Sequence, residues 1–318
     1  MPPIRIKTTI QKSRWYTTPE VYHNAVDRGL SSIFLHPAWR DSVSDCASPS
    51  KEVISIMIRR VVFLIPALLW TGQLGAQTQP RIFQTVSCVK VERGKQREFR
   101  EYATGPMKKL AQLRINAGTL VSWSFLRTVV PAGEEAPCDY SIVYTAEGTP
   151  YQLPGREQVE KDLKAAGLNM PVDEYYQTQY FLGKLASRVI WQNHHRVGTI
   201  EKGNHLYLNW MKVHDMPEYV KFEREVWLPM AEAMVKSGTM KAWVFSTKVM
   251  PSGADEPYMA FSADVFADWK AAFGQRGIRE AFEKAHPGKN IQEVMGGLNK
   301  LRTLARRQLV VVEDRITK

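Results

Sequence analysis

Residues 118–137 read GTLVSWSFLRTVVPAGEEAP, and residues 238–257 read GTMKAWVFSTKVMPSGADEP. Gly118, Thr119, Trp123, Phe125, Pro131, Gly133 and Pro137 recur as Gly238, Thr239, Trp243, Phe245, Pro251, Gly253 and Pro257, always 120 positions later (243 − 123 = 120). Upstream, Pro106-Met107 matches Pro229-Met230 and Lys90-Val91 matches Lys212-Val213, at offsets of 123 and 122 (229 − 106; 212 − 90), so small insertions separate the copies there. Self-similarity at a long fixed period marks a repeated structural unit. The chain reads as two related units, residues 81–200 and 204–314, packed together.

Each unit carries the same order of elements. His205 to Val213 alternates, with Leu206, Leu208 and Trp210 on one face and His205, Tyr207, Asn209 and Met211 on the other, which is the period of a strand. Asp215 then caps a helix that tolerates Pro217 in its first turn. Phe222, Val226, Met230 and Met234 give that helix one apolar face. Pro229 breaks its hydrogen-bond ladder and Gly238 ends it, as Pro106 and Gly118 do in the first unit. Strands are predicted over 239–249 and 258–266 around Pro251-Ser252-Gly253, and over 119–130 and 138–145 around Pro131-Ala132-Gly133.

Helical segments over 267–285 and 291–304, interrupted at His286-Pro287-Gly288, and a strand over 308–312 complete the second unit. Helices over 156–166 and 173–185 and a strand over 188–197 complete the first. Strand, helix, strand, strand, helix, strand is the split βαβ of ferredoxin-like domains. The predicted fold is α+β: two fused ferredoxin-like βαββαβ units forming an intramolecular dimeric α/β barrel.

On this layout, residues 81–314 resemble a tandem member of the dimeric α/β-barrel superfamily, which includes antibiotic-biosynthesis monooxygenases and the haem-binding chlorite dismutase group. The segment Glu223-Arg-Glu-Val-Trp-Leu-Pro-Met230 also resembles a group of uncharacterised exported bacterial proteins. In the haem-degrading monooxygenases of the superfamily an Asn on the first strand, a Trp in the helical region and a His after F-x-x-A-H work together. The matching residues here are Asn209, Trp269 in Phe266-Ala-Asp-Trp269, and His286 in Phe282-Glu-Lys-Ala-His286. The 17 positions between Trp269 and His286 (286 − 269) exceed that family's spacing. The resemblance implies that His286 ligates a haem iron while Asn209 and Trp269 orient a substrate.

Met57, Arg59-Arg60, the apolar run Val61–Trp70 and the small residues ending at Gly75-Ala76 have the form of a secretory signal. The run is about half the ~20 residues a membrane-spanning helix needs, so residues 57–76 are expected to be cleaved on export to the periplasm or medium, leaving no stable membrane span. Residues 1–56 are read as a non-native or disordered N-terminal extension, with Met57 the true start. Removing residues 1–76 leaves 43 − 9 = 34 basic and 32 − 5 = 27 acidic side chains, a net charge of 34 − 27 = +7. These charges are interspersed, and no aromatic-plus-basic motif accompanies them, which excludes nucleic acid as an expected partner. Cys88 and Cys138 both fall on predicted strands; an oxidising compartment permits their bridge, but the expected state is two buried thiols.

No Walker loop, HExxH, CxxC pair or G-x-S-x-G occurs in residues 77–318. The expected activity is therefore binding of a small, partly aromatic molecule between sheet and helices, by a monomer or homodimer. The alternatives are a cofactor-free or haem-dependent monooxygenase-like enzyme centred on the second unit, and a structural envelope protein. Candidate ligand-binding residues are Asn209, Trp243, Trp269, His286, His205 and Tyr207. Trp243, like Trp123, suits packing or an aromatic cavity wall. His194 and His195 are expected on opposite faces of a strand, and Glu223 and Glu225 as solvated helix charges. At the position of Asn209 the first unit has Ser87 (209 − 122 = 87), so the site is expected in the second unit.

Overall fold

The alternating stretch His205–Val213 and its counterpart Ile82–Val91 are strands β5 and β1. A computed structural model describes residues 80–318; the proposed extension and signal, residues 1–56 and 57–76, lie outside them. After β1 come helices α1 (Gln96–Tyr102) and α2 (Lys108–Asn116), strands β2 (Ser122–Val130) and β3 (Tyr140–Glu147), helices α3 (Arg156–Ala165) and α4 (Val172–Leu182), and strand β4 (Gly183–Gly198). After β5 the same order returns: α5 (Met216–Phe222), α6 (Leu228–Ser237), β6 (Ala242–Met250), β7 (Ala260–Phe266), α7 (Trp269–Phe273), α8 (Ile278–Ala285), α9 (Ile291–Leu301) and β8 (Arg302–Thr317).

Local chemistry accounts for the helix ends. The Asp215 carboxylate accepts from the Glu218 amide and caps α5, and Asn290 does the same for α9, each satisfying an otherwise orphan donor. Gly238 adopts φ +80° and stops α6, a conformation that costs a Cβ-bearing residue more. The two prolines have a specific effect. Pro106 lies in a π-helical stretch, Ala103–Met107, joining α1 to α2, and Pro229 follows another, Glu223–Trp227, joining α5 to α6. Each lacks the N–H for an i−4 bond, and the widened turn is where the ladder adjusts.

All eight strands are antiparallel and close in the order β1-β3-β2-β8-β5-β7-β6-β4. The longest strands do the joining. β4 pairs through Gly183–Asn193 with β1 and through Ile190–Gly198 with β6. β8 pairs through Arg302–Val311 with β5 and through Leu309–Thr317 with β2. A strand over 308–312 was too short an expectation for β8, because closure needs one strand to serve two neighbours in succession. At the end of β4, Gly198 has φ +75°, and a Cβ there would meet the Lys241 carbonyl oxygen at 2.1 Å.

Three cores result. One lies between the first half's sheet and its helices, around Phe99, Leu110, Phe125 and Tyr140. The second is its counterpart around Tyr219, Met230, Phe245 and Phe282. The third lies inside the barrel, with Leu126, Trp191, Val244, Phe261 and Val310. Cys88 and Cys138 form a disulfide rather than two thiols, with Cα atoms 5.3 Å apart. Pairing of β1 with β3 sets Cys88 opposite Ser141 and so brings Cys138 within reach. Among the described residues, no helix is long and apolar enough to cross a membrane.

Candidate functional site

A cavity of about 260 Å³ lies between the first half's sheet and its helices. Tyr144 on β3 forms part of its floor, and Tyr175, Tyr176 and Tyr180 on α4 supply its wall. Two guanidinium groups reach it, Arg114 from α2 and Arg188 from β4, and no carboxylate is among its lining residues. Arg114 is held in place: its Nε and Nη2 donate to Asp162 Oδ2 at 3.1 and 3.0 Å, and Gln158 Nε2 donates to the other carboxylate oxygen at 2.7 Å. Arg188 Nε donates to the buried Ser87 hydroxyl at 3.1 Å.

The tyrosines are arranged by packing. Tyr175 meets Tyr102 at 5.7 Å and Tyr176 edge-on at 5.6 Å between ring centroids, and the Tyr102 hydroxyl donates to the Tyr175 carbonyl at 3.0 Å. Tyr144 stacks on Tyr151 at 5.1 Å. Burial raises the Tyr144 hydroxyl above its ordinary pKa, opposed by Arg114 and Arg188, and pushes Tyr151 up to about 12. These phenols stay protonated at neutral pH and serve as donors. The cavity thus offers aromatic faces, hydroxyl donors and two fixed guanidinium groups, that of Arg114 paired with Asp162, which suits recognition of a flat acidic molecule.

The second half has far less room. Its corresponding space is about 20 Å³, lined in part by Trp243, Asp264, Phe266 and Arg276, room for about one water. Arg276 lies on its wall, with its guanidinium 4.6 Å from the Tyr207 ring and 5.4 Å from Phe266. Three residues from the sequence prediction do gather here. Asn209 is buried, accepts from Arg307 Nε at 2.6 Å, and donates to Ser262 Oγ at 3.2 Å and Asp264 Oδ2 at 3.1 Å. Tyr207 lies next to it under Arg276, and Trp243 is 1% exposed. Burial raises the pKa of Asp264, against the opposing pull of Arg276, Asn209 and Arg307.

The other three lie elsewhere. Trp269 is 49% exposed and packs on Phe273 at 4.7 Å and edge-on to His205 at 6.0 Å. His205 Nδ1 pairs with the Gly203 carbonyl at 3.1 Å. His286 is 7% exposed, and its Nε2 faces the Val226 carbonyl at 3.0 Å, so that nitrogen carries the proton. A haem does not fit these residues. The imidazole is turned to a backbone acceptor, Trp269 points to the surface, and the space beside Asp264 has room for about one water.

Two further expectations are corrected. His194 and His195 do not diverge: β4 bulges between Asn193 and His195 where it pairs with β6, and both rings pack on Phe245, at 5.7 and 6.3 Å. A bulge adds one residue and breaks the two-residue alternation. Burial lowers both imidazole pKa values, and no cluster of three metal-ligating side chains exists among the described residues. Glu223 is not solvated: it is 2% exposed, whereas Glu225 is exposed as expected. Burial pushes the Glu223 carboxyl up to about 8. Its polar neighbours, Tyr219 and Arg302, make no well-formed hydrogen bond to it, and the Tyr219 hydroxyl and Arg302 Nε are left without partners.

The residues sequence reasoning missed are the tyrosines of α4 with Arg114, Arg188 and Ser87. Their signal was present in Asp173-Glu-Tyr-Tyr-Gln-Thr-Gln-Tyr180, an aromatic-rich helix in only one of the two halves.

No protein-family model matches the chain, and no curated protein matches it. Solved structures similar to it include two candidate monooxygenases. One, from Fusobacterium nucleatum, is 8% identical, with 76% of this chain and 96% of that one covered and a TM-score of 0.45. The other, from Lactobacillus acidophilus, is 12% identical, covering 76% and 100% at a TM-score of 0.41. A mutant chlorite dismutase from Candidatus Nitrospira defluvii is 7% identical, covering 73% and 90% at a TM-score of 0.39. The neighbours in structure thus include candidate monooxygenases and a chlorite dismutase.

Proposed function

We propose that this is an exported binding protein, built from two fused ferredoxin-like units, that holds a small aromatic acid between the sheet and helices of its first half. The observation that carries the reading is the cavity of about 260 Å³ with four tyrosines and two guanidinium groups on its walls and no carboxylate. The tyrosines offer stacking faces, while Arg188, without an ion pair among the described residues, offers charge and Arg114, paired with Asp162, offers its remaining N–H donors. Two observations support fusion: the βαββαβ order recurs, and each half contributes strands in the same spatial order, β4-β1-β3-β2 and β8-β5-β7-β6. Export is supported by the signal-like stretch at 57–76 and by the Cys88–Cys138 bridge, since disulfides persist in oxidising compartments.

A second reading, an enzyme with an oxygenase-like site in the second half, draws on one observation, the buried Asp264 beside Asn209. Its space of about 20 Å³ must open before a substrate enters. Calorimetric titration with a panel of hydroxybenzoates and indole carboxylates separates the two. The first reading expects Tyr176→Ala and Arg188→Ala to weaken binding about tenfold, and Asn209→Ala to leave it intact. Loss confined to Asn209→Ala contradicts it.

A further inference from the structure

A second space, about 130 Å³, lies inside the barrel, walled chiefly by apolar side chains such as Val86, Leu208, Trp191, Trp210 and Phe261. Its volume is close to the ~150 Å³ of an apolar cavity that takes up benzene. Arg315 lines this space and also an open groove of about 450 Å³ at the barrel's end, where Arg196, Lys202 and Thr199 lie.

The Arg315 guanidinium is poorly compensated. Its Nη1 donates to the Ser124 hydroxyl, its Nε is buried without a partner, and it has no ion pair among the described residues. The carboxylates next to it in sequence are committed elsewhere: Asp314 to Lys108 Nζ at 2.8 and 2.9 Å, Glu313 to Arg127 and Arg100. Glu201, a side-chain carboxylate of the groove, makes no ion pair among the described residues. Burial, with Arg196 nearby, pushes the guanidinium pKa down to about 10. Arg315 is half-buried, so its charge without a counter-charge carries part of the cost of desolvation, and a bound anion relieves that cost.

We propose that this end of the barrel is a second ligand site, which takes a small carboxylate bearing an apolar group about the size of a benzene ring. The carboxylate sits on Arg315 with Arg196 beside it, as a guanidinium fork suits, and the apolar group enters the barrel toward Trp191 and Trp210. The proposal is independent of the cavity beneath α4.

Two experiments on the full chain test it. Anomalous scattering from a crystal grown with 4-bromobenzoate locates the bromine, which is expected inside the barrel. Benzoate titrated calorimetrically into the parent and into Arg315→Met is expected to bind the variant at least tenfold more weakly. Arg315→Met, which removes an uncompensated charge, is also expected to melt at a higher temperature than the ligand-free parent. If that variant fails to fold, the exposed-site change Arg196→Met carries the comparison and is expected to weaken benzoate about threefold. Bromine beneath α4, no benzoate binding, or unchanged affinity in the folded variant overturns the inference. The first of these leaves the reading of the first half's cavity standing.

Discussion

Trp243 is 1% exposed and stacks beside Phe245 at 6.3 Å, so its removal leaves a void that neighbours only partly fill. Trp243→Ala is expected to cost about 3 to 5 kcal/mol, read by thermal or denaturant melts. Glu223 has an opposite dependence on pH from a salt-bridged carboxylate. Burial raises it from an ordinary 4.5 to about 8 in the folded state. Its contribution is therefore fully present below about 4.5 and is lost as the pH rises to about 8. Glu223→Gln is expected to flatten stability across that window, and an unchanged pH profile contradicts the assignment. The face of β5 that carries Asn209 was legible in the sequence, because strict alternation fixes it. The burial of Glu223 was not, since the π-helical stretch Glu223–Trp227 shifts the phase of a 3.6-residue reading.

Elements with a clean period and a marked end were read closely: predicted helix 156–166 is Arg156–Ala165, and predicted helix 173–185 is Val172–Leu182. The joining strands were under-read, because segments such as Arg302–Arg307 are polar and pair along an exposed edge of β5, which leaves no apolar alternation to see. Their role makes the end of β4 sensitive. Gly198→Ala places a Cβ against the Lys241 carbonyl in a left-handed conformation and is expected to destabilise by about 2 kcal/mol or more. Melting of that variant checks the seam between β4 and β6; an unchanged melting temperature contradicts the close approach there. The tyrosines of α4 escaped site prediction for another reason. The halves share the motifs around Trp123 and Trp243, whereas the cavity lies where they differ.

Across the described residues, eight strands close into one barrel in which β4 and β8 each serve two neighbours, with separate spaces outside and within it. The Cys88–Cys138 bridge closes a loop of 50 residues in the first half, so Cys88→Ser with Cys138→Ser is expected to lower stability by about 2 to 4 kcal/mol, measured against the oxidised parent. That half also contains the tyrosine cavity, and the bridge holds β1 and the segment leading into β3, two strands that form its floor. The central claim is that this cavity holds a small aromatic acid. Untargeted mass spectrometry of molecules released from the purified protein tests it most directly. The predicted result is an aromatic acid retained by the parent and by Asn209→Ala but lost from Tyr176→Ala and Arg188→Ala. Its absence from the parent, or equal retention by all four proteins, contradicts the account.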